Sequence, residues 1–330
     1  HPRITFREPP YDAQEFTPVR TLRTRRATAA ALAAALLGTL PACATTDAPA
    51  GKATPPAAGS AADDGARPGA PIALDGAVNV RDLGGYRTDK GRHIRPGQAF
   101  RADSLGKATK ADVKKLSALN LGTVVDFRTP LEVKRDGADR LPAGLKVTSR
   151  AVNDLGLYAK TMEAIGSKDP VKQEDMLGGG KAEQLMRDIY RSFATDPDSR
   201  RQFAATLRDL AKDRRTPLVF HCTSGKDRTG WVSYLLLRAV GVPARTAEKD
   251  YLLSNDFRAK ADRETREGLE KSGYMKNPDL LVPLQDVRAD YLDAALDQVR
   301  RDYGGLDGYL TEGLGLDRSN LAGLRARLVR

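Results

Sequence analysis

A chain of 330 residues with 40% hydrophobic and 29% charged residues matches the composition of soluble globular proteins, which excludes a fibrous or wholly disordered chain. Its formal net charge of +11, of which residues 1–42 contribute +3, favours anionic partners, but no Lys/Arg block is interleaved with aromatics, which argues against nucleic acid. Two cysteines, Cys43 and Cys222, and three histidines without ligand spacing support neither a disulfide nor a metal site, and no motif calls for a cofactor.

In chain order, residues 1–18 form a polar, Pro-containing stretch ahead of an export signal and are read as an upstream translation artefact, with the start at Val19. Residues 19–42 carry Arg23, Arg25 and Arg26 and then an Ala/Leu run, shorter than the roughly 20 apolar residues a spanning helix needs, so a signal peptide is expected rather than an anchor. Leu40-Pro41-Ala42-Cys43 resembles a bacterial lipobox, in which acylated Cys43 would tether the mature protein to a membrane. Ordinary cleavage near Ala42 is the alternative. Residues 43–71 are Ala, Pro, Gly, Thr and Ser with few large apolar side chains, too few to offset the entropy of ordering, and are expected to be a flexible tether.

From Ile72 onward short β-branched runs alternate with helical stretches, the pattern of an α/β fold. Strands are expected at Thr123–Phe127, Leu145–Val147 and Pro217–Phe220. Thr129-Pro130-Leu131-Glu132 reads as a helix start with a cap residue, Pro at the first helical position and an acid at the capping-box position. Apolar spacing predicts helices over Ala182–Phe193, over Ser199–Ala211 with a cap near Asp198, and over Trp231–Val240. Beyond Ala244 several more follow, including Val287–Tyr303 and Asn320–Leu328.

The chemistry is concentrated in His221-Cys222-Thr223-Ser224-Gly225-Lys226-Asp227-Arg228-Thr229-Gly230, between an apolar strand and an apolar helix. Spacing Cys222 and Arg228 by five residues closes a cradle whose backbone N–H groups can surround one tetrahedral anion, and Gly225 permits a turn that a side chain would obstruct. A helix start adds unpaired N–H groups and a positive dipole end, which favours bound phosphate and lowers the thiol pKa. Cys222 is then the nucleophile candidate, Arg228 a planar fork for two phosphoryl oxygens, and Thr229 a hydrogen-bond donor to sulfur. Thr223, Ser224, Gly225, Lys226 and Thr229 are expected to contact substrate, Lys226 as a second cation at the rim, and His221 to orient the loop through its ring.

This loop resembles that of the protein tyrosine phosphatase superfamily, and its Gly225-Lys226-Asp227-Arg228 variant resembles the atypical branch typified by mycobacterial protein tyrosine phosphatase B. Asn79-Val80-Arg81-Asp82-Leu83-Gly84-Gly85, Phe100-Arg101-Ala102-Asp103-Ser104, Asp126-Phe127-Arg128, Asp250-Tyr251-Leu252-Leu253-Ser254-Asn255 and the stretch from Tyr303 to Leu310 are similar to that branch's other blocks. The resemblance implies one catalytic domain over 72–330: a three-layer fold with a central, mainly parallel sheet flanked by helices, plus extra C-terminal helices.

It also implies a two-step reaction through a phosphocysteine, on phosphotyrosine, with phosphoserine, phosphothreonine and phosphoinositides as further candidate substrates. The acid in the resembling branch corresponds to Asp227, with Asp154 as the second candidate. Asp126 and Asp82 are expected to hold arginines and backbone in place. Two other readings stand beside this one. A non-catalytic phosphate-binding module would have no need of the nucleophile, and a rhodanese or arsenate reductase does not suit the Gly-Lys-Asp-Arg-Thr-Gly continuation.

Overall fold

A computed structural model describes residues 67–330; the signal, lipobox and most of the tether lie outside these residues. Five short strands, β1 (Arg81–Asp82), β2 (Ala99–Ala102), β3 (Thr123–Asp126), β4 (Val147–Ser149) and β5 (Leu218–His221), form one sheet in the order β1-β2-β5-β3-β4. Only β1 runs antiparallel to its neighbour; β2, β3, β4 and β5 are parallel. Strand β5 is central, and its apolar sequence LVFH is buried along its whole length, as a parallel strand covered on both faces should be.

Alternate residues of these strands enter two different cores. Phe100, Ala102, Val124 and Val219 face a small cluster with Leu105 and Leu116, the latter on α1 (Lys110–Ala118). Ala99, Val125, Leu218 and Phe220 face the larger cluster with Trp231, Leu235 and most of the helical side chains. The result is the expected three-layer arrangement, with the bulk of the helices on one face.

Helix α2 (Pro130–Asp136) begins on a complete capping box formed by Thr129 and Glu132. Two helices that apolar spacing did not reveal, α3 (Leu157–Ser167) and α4 (Pro170–Leu177), follow β4. Helices α5 (Lys181–Thr195) and α6 (Pro197–Leu210) match the expected stretches, but the α6 cap is Asp196, which accepts from the Ser199 N–H at 2.9 Å, rather than Asp198. Pro197 occupies the first helical position, which moves the cap one residue upstream of it.

Helix α7 (Arg228–Ala239) is buried on nearly every side, the mark of a central helix. The C-terminal portion holds the 28-residue α8 (Ala244–Lys271), the single-turn α9 (Val282–Gln285), α10 (Ala289–Tyr303), a short turn α11 (Leu306–Gly308), and α12 (Arg318–Leu328). Among the described residues, no helix is long and apolar enough to cross a membrane.

Strand register positions the site. Ala102 and Asp126 both lie level with His221, so the segments leaving β2, β3 and β5 emerge side by side at the carboxyl edge of the sheet. In open parallel sheets this edge is where ligands bind.

Candidate active site

Residues 222–227 leave β5 and turn into α7, and their carbonyls are held from outside. Thr223 O accepts from the Ser104 N–H at 3.2 Å, Ser224 O from Asn79 Nδ2 and Arg258 Nη1 at 3.3 Å, and Gly225 O from Asn79 Nδ2 at 3.0 Å and Arg101 Nη2 at 2.8 Å. In a trans peptide the C=O and the next N–H point in opposite directions, so the N–H groups of Ser224, Gly225 and Lys226 turn inward. That makes the anion cradle. Gly225 is at φ +63°, and a Cβ there would sit 2.4 Å from the Ala102 carbonyl oxygen, so both backbone conformation and space demand glycine.

The cations that pull these carbonyls outward are themselves anchored. Asp250 on α8 takes Arg81 Nε at 3.0 Å, Arg101 Nη1 at 2.7 Å and the Tyr86 hydroxyl at 2.9 Å, all in the interior. Arg81 also donates to Asn79 Oδ1. Three separated sequence blocks, around Asn79, Phe100 and Asp250, therefore converge behind the loop as one charged scaffold. Arg258, one α8 turn beyond Ser254, adds a further cation; it pairs with Asp262 at 2.6 Å and lies 3.5 Å from Asp103. No motif around it marked it in the sequence.

Cys222 is a free thiol, buried at the loop's base. Burial alone would raise its pKa, but the Arg228 charge and hydrogen bonding from Thr229 outweigh that and leave it below the ordinary thiol value. The Thr229 hydroxyl is buried and has no nitrogen or oxygen partner, which leaves it to the sulfur. Arg258 also senses the sulfur charge.

Arg228 is clamped by Glu132, Nη1 to Oε2 at 2.8 Å and Nη2 to Oε1 at 2.5 Å, and Nη1 also meets the Phe127 carbonyl at 3.1 Å. The Nε–H and the second Nη2–H remain, adjacent on one edge of the guanidinium, the geometry of a bidentate oxyanion fork. Glu132 also accepts from Thr223 Oγ1 at 2.6 Å. Desolvation would raise its pKa, yet Arg228 and the two hydroxyl and amide donors pull it down to about 2, so Glu132 is ionised at neutral pH. The capping-box pattern located this residue in the sequence but not its hold on the loop.

Asp227 is partly exposed and receives Lys226 Nζ at 2.9 and 2.8 Å on its two oxygens and the Tyr190 hydroxyl at 2.9 Å on Oδ1. Lys226 is not at the rim as expected: its side chain is buried, and Nζ also lies 3.4 Å from the Asp286 carbonyl. The close carboxylate outcompetes solvent for the ammonium. Ser224 is half-buried beside these groups.

Asp154 follows Val152, whose carbonyl lies 3.4 Å from Arg228 Nη1, and its charge acts on that guanidinium. Its oxygens are taken by the Gly156 and Tyr158 N–H groups at 3.0 and 2.9 Å, at the start of α3. Asp126 grips Arg128 through Nε at 3.0 Å and Nη2 at 2.8 Å, and Asp82 holds the Gly84 and Gly97 N–H groups.

Buried His221 has Nε2 at 2.6 Å from Asp139 Oδ2 and Nδ1 at 3.4 Å from the Cys222 carbonyl. Burial lowers its pKa, but the Asp139 hydrogen bond and charge prevail and hold it above the usual histidine value. Asp126, Asp139 and His221 have the donor types of a metal site, with ligand atoms within 4.8 Å of one another, but Arg128 bridges the two carboxylates and supplies the positive charge there.

Residues 72–330 match the model of the family described as "Tyrosine phosphatase family". The chain belongs to the tyrosine phosphatase family. This tyrosine phosphatase is 32% identical over 252 residues to a Cupriavidus necator protein named as a tyrosine-protein phosphatase, a match spanning 76% of this chain and 87% of the relative. It is 30% identical over 280 residues to the triple specificity protein phosphatase of Mycobacterium tuberculosis, spanning 78% and 98% respectively. A Nostoc commune tyrosine-protein phosphatase is 27% identical over 71% of this chain and 75% of its own.

Proposed function

We propose that this tyrosine phosphatase hydrolyses phosphomonoesters through a phosphocysteine on Cys222. The observation that carries the reading is the pairing of a buried thiol of lowered pKa with an arginine whose free edge Glu132 holds in place at the same loop. The thiolate attacks phosphorus while the inward N–H groups and Arg228 take the equatorial oxygens, whose charge they stabilise in the transition state. The S–P bond forms, the P–O bond to the leaving group breaks, and that oxygen takes a proton from a carboxylic acid. Water then attacks the phosphocysteine, its proton passes to the same carboxylate, and Thr229 stabilises the departing thiolate.

Asp227 supplies that acid in our reading, because Glu132, Asp126, Asp139 and Asp154 are each committed elsewhere. Glu132 is ionised under Arg228, Asp126 and Asp139 are bound to Arg128 and His221 behind the loop, and Asp154 accepts from the Gly156 and Tyr158 N–H groups. Replacement Asp227→Asn should steepen the dependence of kcat on the leaving group and remove the alkaline limb of its pH profile. If both are intact, the acid is elsewhere.

We assign phosphotyrosine proteins as the primary substrate class, with phosphoserine, phosphothreonine and phosphoinositides as further substrates; the triple specificity named for the mycobacterial relative and the cationic loop support this breadth. A kinetic panel of the corresponding phosphopeptides and phosphoinositides checks it, and activity confined to one class would contradict it. The N-terminal signal and lipobox support an exported enzyme tethered through acylated Cys43. Mass spectrometry of the mature N-terminus should find an acylated cysteine, and Cys43→Ala should move the protein out of the membrane fraction.

A further inference from the structure

Tyr190 sits in the buried face of α5, where Ile189 and Phe193 are core residues, and by spacing it is one more of them. Its ring is packed as core, with centroids 5.1 Å from Phe193, 6.1 Å from Tyr251 and 6.0 Å from Tyr291. Its hydroxyl, however, leaves that core and reaches Asp227 Oδ1 at 2.9 Å. The Tyr251 hydroxyl lies 2.9 Å from the same oxygen of Tyr190 and 3.2 Å from the Arg288 carbonyl. A carboxylate can only accept, so the single Tyr190 proton points to Asp227, and the Tyr190 oxygen must accept from Tyr251. Tyr190 therefore donates to Asp227, and Tyr251 shares its one proton between the Tyr190 oxygen at 2.9 Å and the Arg288 carbonyl at 3.2 Å.

The two oxygens of Asp227 are thereby made unequal. Oδ1 is held both by Lys226 and by a hydroxyl that a fully buried ring cannot withdraw, whereas Oδ2 meets Lys226 alone. We propose that Tyr190, backed by Tyr251, is the positioning residue of the loop carboxylate: it fixes Oδ1, leaves Oδ2 to carry the transferred proton, and stabilises the charge that appears on Asp227 when the proton leaves. This rests on the reading of Asp227 as the acid. The proton on Oδ2 passes to the leaving oxygen as its bond to phosphorus breaks, and the carboxylate that remains keeps the Tyr190 hydrogen bond. Burial, followed by the Asp227 charge, raises the Tyr190 pKa well above the usual value, so the hydroxyl stays protonated and able to donate.

Tyr190→Phe removes the hydroxyl and keeps the ring. With phenyl phosphate, whose poor leaving group needs the acid, kcat should fall about tenfold, the worth of one hydrogen bond to a charged group. With dinitrophenyl phosphate, whose leaving group does not, it should change less than twofold. A merely structural role would lower kcat for both substrates equally, and that result, or no change at all, overturns the proposal.

Asp227→Asn run alongside separates the two layers. If it does not discriminate between the leaving groups, the acid reading itself fails; if it does and Tyr190→Phe does not, only the present inference falls. Should Tyr190→Phe not fold, Tyr251→Phe decides, with a smaller change of the same sign expected and none overturning it.

Discussion

Thr229 and Glu132 show how single side chains set the loop's chemistry. Because Thr229 Oγ1 has only the sulfur to serve, Thr229→Ala should raise the Cys222 pKa, and the midpoint of iodoacetate alkylation against pH should move up. In the intact enzyme kcat/KM should rise with pH as the thiolate forms, at a pH below the ordinary thiol value of 9.0. Glu132→Gln leaves the helix cap able to form but removes the charge that orients Arg228. We expect kcat/KM to drop about a hundredfold, the order of cost of a misplaced catalytic group, while the fold persists. Unchanged kinetics in that variant would show that Arg228 needs no clamp.

At the scale of elements, the loop between β5 and α7 was legible in the sequence because its chemistry is local: the nucleophile, the arginine, the glycine turn and the helix start lie within ten residues. The capping box at Thr129–Glu132 and the apolar strands were legible for the same reason, and the structure places them within a residue or two. What was not legible depends on partners far along the chain. Arg258, Asp139 and Tyr190 carry no local signature, and each matters through a contact made by folding, to Ser224, His221 and Asp227 respectively. Lys226 was misplaced because sequence shows a cation next to an acid but not that folding buries the lysine side chain. Helix caps are testable at this scale: Asp196→Ala should cost about 1 kcal/mol in urea unfolding, and Asp198→Ala much less.

Across the whole molecule, stability and activity meet in the buried Asp250 hub. It neutralises Arg81 and Arg101, which in turn hold Asn79 and the Gly225 carbonyl, so the scaffold that folds the domain also shapes the anion cradle. Removing one partner of such a network strands buried charge, and Asp250→Ala should destabilise the protein by about 3–5 kcal/mol in urea unfolding. The pH dependence follows from the carboxylates. Glu132 and Asp112 both sit at about 2 when folded, against ordinary values of 4.5 and 3.8. Depressed carboxylates stabilise the fold fully above their unfolded pKa, so stability should be lost as pH falls from about 4.5 toward 2.

All of these expectations rest on Cys222 as the group that receives phosphorus, and rapid acid quenching during turnover, followed by peptide mapping, tests that most directly. One phosphoryl group should be found on the peptide containing Cys222, and Cys222→Ser should neither hydrolyse substrate nor carry the adduct. Hydrolysis that persists in Cys222→Ser, or a phosphoryl group trapped on another residue, would contradict it.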